Sequence, residues 1–114
     1  MIVKHLKSNK ILGSNIKYAN TFSSRLIGLM FRKSMDDLDG LILEPGNSVH
    51  NCFVRFPIDV IFLTKENEIV KIVRNFKPWR FTRIYFKSRR VLELPAGTVT
   101  DDIAKGDLLE VSGV

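Results

Sequence analysis

The chain has 114 residues, a mass of 13.1 kDa and a formal net charge of +6. That length is one domain, residues 1–114, with no room for a second core. Hydrophobic residues make up 45% and charged residues 26%, enough apolar side chain to offset chain entropy, so a disordered chain is excluded. One cysteine excludes an intrachain disulfide framework, and with two histidines it leaves little for a zinc site.

In chain order, Ile2 to Leu6 and Ile16 to Ala19 read as short strands around a Gly13-Ser14-Asn15 turn. Phe22, Leu26, Ile27, Leu29 and Met30 then recur at helical spacing, with Thr21 placed as the cap. This predicts one short helix over 22–31. From Gly40 the pattern is strand-like: 41–43, then 49–56, 58–63 and 69–76. Lys65 to Glu68 is a hairpin loop in which Asn67 suits a positive φ. Residues 91–94 form another strand, stopped by Pro95-Ala96-Gly97. A helical turn is expected over 98–104, and a last strand over 108–111. Many short strands with frequent turn signals predict a mainly β domain, a compact, antiparallel, barrel-like sheet.

No apolar run is long enough to span a bilayer, and Lys4, Lys7 and Lys10 interrupt the N-terminus, so there is no secretory leader in view. The expectation is a cytoplasmic protein. The positive charge is confined to one segment. Lys71, Arg74, Lys77, Arg80, Arg83, Lys87, Arg89 and Arg90 occur with no acidic residue among them, while the rest of the chain is slightly acidic. Phe76, Trp79, Phe81, Tyr85 and Phe86 lie in the same stretch. Basic charge attracts phosphate and aromatic faces stack on bases, so the segment is a candidate polyanion or nucleic-acid surface. The plainer account is a solvated strand face with its aromatics turned inward.

Residues 48–63, reading SVHNCFVRFPIDVIFL, resemble the signature of the domain of unknown function 192 family. The likeness extends upstream through GLMFRKS at 28–34 and GLIL at 40–43. Downstream it continues through NFKPW at 75–79, VLELPAGT at 91–98 and KGD at 105–107. Asn51, Val54, Thr64 and Asn67 depart from the usual residues. The resemblance implies a small, mainly β, barrel-like domain and no established activity.

Asp59 stands in the apolar run 58–63, where a carboxylate needs a partner. Arg55 is the nearest cation in sequence, about 13 Å away in an extended chain. Pro57 between them is placed to bend the strand and allow an ion pair. His50 and Cys52 share a strand face, too few ligands for a metal and not enough for a nucleophile pair. The first reading is therefore a non-catalytic binding module with no cofactor and no metal. It takes a small or extended polar or anionic ligand at a rim made by His50, Arg55, Asp59, Trp79 and Glu93. Nucleic-acid binding along 71–90 is the second reading. A hydrolase using Asp59 and Glu93 as a carboxylate pair is the third, and requires the two to converge on one pocket.

Overall fold

A computed structural model describes residues 1–20, 38–49 and 55–113. It contains eight strands among them: β1 (Ile2–His5), β2 (Lys10–Gly13), β3 (Ile16–Ala19), β4 (Gly40–Leu43), β5 (Ile58–Leu63), β6 (Ile69–Phe76), β7 (Arg90–Pro95) and β8 (Leu109–Ser112). The predicted helix over 22–31 and most of the predicted strand over 49–56 lie outside the described residues. Residues 55–57 are not part of a strand.

Two sheets result, ordered β2-β1-β8 and β3-β4-β7-β5-β6. All pairs are antiparallel except β3 with β4, which is parallel. The sheets do not close into one barrel, but backbone bonds join them at both sides. The Met1 amine donates to the Ile16 carbonyl, and the Ile16 amide donates back to Met1. On the other side Leu109 donates to Asn67, Ile69 donates to Asp107, and Glu68 bridges Leu108. These contacts cap edges that would otherwise present unpaired amides.

β5 is the centre of the molecule. All six of its residues are buried, as expected for a strand covered on both faces. Because side chains alternate, its two faces enter two different cores. Ile61 and Leu63 join Ile42, Leu92, Leu94 and the small sheet's Val3 and Leu109. Ile58, Val60 and Phe62 join Leu41, Leu43, Val91 and Phe76. Gly40 lets β4 approach β7 closely, since a Cβ there would lie 2.6 Å from the Glu93 carbonyl oxygen. The hairpin after β5 follows the sequence reading: Asn67 has φ 67°, and its amide donates to the Thr64 carbonyl.

The expected helical turn over 98–104 is instead a pair of tight turns. Thr98 donates to Pro95 and Ile103 donates to Thr100. The reason is competition for the backbone. Val99 gives its amide to the Asp59 carboxylate. The Arg74 guanidinium takes the carbonyls of Val99, Thr100 and Ile103 at 3.0, 3.1 and 2.8 Å. Groups that a helical ladder needs are therefore already bound.

Candidate functional site

The polar residues singled out in the sequence fall into three environments. Asp59 is 1% exposed and points into the first core beside Leu94, its cross-strand partner. Its Oδ1 accepts from the Asn75 amide at 2.9 Å. Its Oδ2 accepts from Gly97 and Val99 at 3.0 and 2.9 Å. Three backbone donors meet a buried carboxylate's need for partners. Arg55 is exposed, and among the described residues no ion pair joins it to Asp59. The expected Arg55–Asp59 pair is thus replaced by amides from the end of β6 and the turn after β7. Backbone donors supplied by tertiary folding arrive where the local guanidinium does not.

Glu93 is 4% exposed and sits on β7 opposite Val60 and Leu41. Its carboxyl therefore enters the second core, while that of Asp59 enters the first. The two carboxylates lie on opposite faces of one sheet, which removes the hydrolase pair. No hydrogen bond or ion pair reaches the Glu93 side chain among the described residues. Burial pushes its carboxyl up to about 7, because the charged form loses its hydration. His50 and Cys52 lie outside the described residues. No group of three or more His, Cys, Asp or Glu there is placed to hold a metal ion.

The basic segment divides sharply. Arg90 is engaged: its Nε donates to Glu44 Oε2 at 2.8 Å and its Nη1 to Asn67 Oδ1 at 3.0 Å. Arg74 is engaged with the carbonyls already named. Lys71, Lys77, Arg80, Arg83, Lys87 and Arg89 are exposed. The aromatics divide in the same way. Phe76 is buried, and Tyr85 packs on Phe62 with ring centroids 4.6 Å apart. Trp79, Phe81 and Phe86 are instead 60%, 75% and 83% exposed, as is Ile84 at 55%.

This outward display sits on a braced loop. Val49 and Thr82 exchange bonds, with the Thr82 amide on the Val49 carbonyl and the Val49 amide on Thr82 Oγ1, both at 2.9 Å. Tyr85 donates to the Asn47 carbonyl at 2.8 Å, and Gly46 donates to the Arg89 carbonyl at 2.9 Å. Ser88, buried, donates its hydroxyl to Gly46. Trp79 takes φ 64°, an uncommon backbone for a bulky residue. Shallow depressions border the loop. One of about 400 Å³ is lined by Lys77, Arg80 and Phe81. Two of about 380 and 430 Å³ lie on either side of Phe86 and Arg89.

The described β architecture and the motif order agree with one family. The sequence profile of DUF192, Uncharacterized ACR, matches residues 3–111. The chain belongs to that family. A UPF0127 protein of Pyrococcus furiosus is 34% identical over 110 residues, covering 93% of this chain and 94% of the relative. A UPF0127 protein of Pyrococcus horikoshii is 34% identical over 100 residues, covering 85% of each. Among solved structures, a protein of unknown function from Novosphingobium aromaticivorans superposes with TM-score 0.80 at 23% identity, over 96% of this chain and 82% of that one. A "putative transcription regulator" from Sinorhizobium meliloti does so with TM-score 0.79 at 26% identity, over 96% and 89%. The DUF192 domain thus has a recurrent fold, and these names assign it no reaction. Among the described residues no helix is long and apolar enough to cross a membrane.

One cluster escaped the sequence reading altogether. His5 is fully buried and bonds both Ser8 and Asp107. Asp107 lies 102 residues away, and no spacing rule connects them.

Proposed function

We propose that this DUF192 domain is a binding protein for single-stranded nucleic acid, and that its contact surface is the loop 77–89. The observation that carries the reading is the shared outward exposure of Trp79, Phe81 and Phe86 with Lys77, Arg80, Arg83, Lys87 and Arg89. Apolar rings in water are unfavourable unless something covers them. Stacked bases do so, and the phosphates between them match the cations. Bracing against residues 46–49 lowers the ordering cost on binding. The Sinorhizobium meliloti protein of similar fold is described as a "putative transcription regulator". The small-ligand rim is less well supported, because both oxygens of Asp59 are already engaged by backbone amides.

The test is fluorescence anisotropy with a labelled single-stranded oligonucleotide across a salt series. Binding is expected to weaken steeply. The slope of log K against log salt approaches about −3.5 if the five cations each neutralise a phosphate. Phe86→Ala is expected to weaken binding at every salt concentration, as lost stacking does. Absence of binding at low salt, or a slope near zero, overturns the reading.

A further inference from the structure

We propose that Ser8 is a nucleophile activated by His5 and Asp107, and that it reacts with acyl esters. Ser8 lies in the exposed turn between β1 and β2. Its Oγ is 2.7 Å from His5 Nδ1. The other ring nitrogen, Nε2, is 2.8 Å from Asp107 Oδ2. A hydroxyl, an imidazole and a carboxylate in one hydrogen-bonded line are the parts of an activated serine, whatever their order in the chain.

The fold holds the line in place from three directions. His5 ends β1, paired with Lys10 on one side and Leu109 on the other, and its side chain has no solvent exposure. Asp107 Oδ2 also accepts the Ala104 amide at 3.0 Å. These bonds, the imidazole first, hold the Asp107 carboxyl below its ordinary range. An ionised Asp107 orients the ring so that Nε2 carries the hydrogen and Nδ1 presents its lone pair to Ser8. Ser8 then donates its hydrogen to Nδ1. This arrangement serves a surface hydroxyl and is independent of the loop 77–89.

The step balances without a co-reactant beyond the ester. Ser8 Oγ forms a bond to the acyl carbon as its proton passes to His5 Nδ1. The bond from that carbon to the leaving oxygen breaks, and the leaving oxygen takes the proton from Nδ1. The products are an acyl-Ser8 and an alcohol or phenol. Burial of the imidazole behind Ser8 keeps water from Nδ1 once the acyl group is in place. Acyl-protein is therefore expected to accumulate, with one burst of product and little turnover.

The experiment treats the full chain with p-nitrophenyl acetate and, separately, with a fluorophosphonate probe, and locates the adduct by peptide mass spectrometry. Expected are a burst of about one equivalent and one adduct at Ser8, lost in Ser8→Ala. Ser14 is the internal control: it is exposed and faces Asp39 but has no imidazole. Asp107→Asn is expected to slow labelling at least tenfold, since the imidazole loses the acceptor that fixes its tautomer. Circular dichroism confirms that both variants fold. An unlabelled Ser8, labelling of Ser14 at an equal rate, or an undiminished rate in Asp107→Asn overturns the proposal.

Discussion

Asp59 and the loop 77–89 solve opposite problems at neighbouring places in the chain. At Asp59 a charged group lies inside the protein, and the surrounding backbone turns toward it until both oxygens are engaged. In the loop, apolar rings lie outside, and the backbone is braced so that they stay there. The first arrangement serves folding, because every polar group is consumed within the molecule. The second turns apolar rings and cations toward the surface. Polar residues in apolar strands are conspicuous in a sequence, yet here the most conspicuous one is a structural tie. The less specific charge run is what faces outward.

That contrast can be broken at its inner side first. Asp59→Ala leaves three amides without their acceptor and unties the turn after β7 from the end of β6. A loss of about 4 kcal/mol is expected, read as a lowered urea midpoint. Stability near wild type would show that those amides find water as easily as carboxylate.

Glu93 gives the next largest effect, and its sign follows from the raised carboxyl. The unfolded chain ionises near the ordinary value of 4.5, and the folded chain only near 7. Its contribution to stability is therefore fully present below 4.5 and is lost as pH rises through 7. The change is on the order of 3 kcal/mol. Glu93→Gln is expected to remove this slope and to be the more stable form at pH 8. Denaturation series at pH 4.5 and 8 check it, and equal slopes in the two proteins contradict it.

Arg74→Ala is expected to cost about 2 kcal/mol, because three carbonyls of the 99–103 turn lose a charged donor. Faster amide exchange should be confined to that turn. The smallest effect on folding belongs to the loop. Replacing Arg80, Arg83, Lys87 and Arg89 together by Ala is expected to change stability by no more than about 0.5 kcal/mol, since none shows an ion pair among the described residues. Oligonucleotide binding should fall at least tenfold in the same variant. A large stability loss there would make the loop another structural element and erase the contrast with Asp59.

Much of the architecture was legible from local pattern. The runs at 58–63 and 69–76 predict β5 and β6 with their observed bounds, because apolar alternation and turn residues act over a few positions. Asn67 marks its turn for the same reason. β2 was missed: only Ile11 and Leu12 are apolar there, and its pairing with β1 comes from the hairpin as a whole. The 98–104 turn was misread because the groups that compete for its backbone, Asp59 and Arg74, are distant in sequence. The candidate surface was half legible. The cations of 71–90 were plain, but not that Arg74 and Arg90 are spent internally, nor which aromatics turn outward.

Sequence by itself determined the family, the mainly β class, the central strands and the location of the positive charge. All of these depend on residue type and short-range spacing. Tertiary structure alone decided that β3 and β4 run parallel, that Asp59 and Glu93 face different cores, and that His5 meets Asp107. Each of those facts is a matter of register or of contact between residues far apart in the chain. The hydrogen bonds that choose among such pairings form only when the strands are brought together.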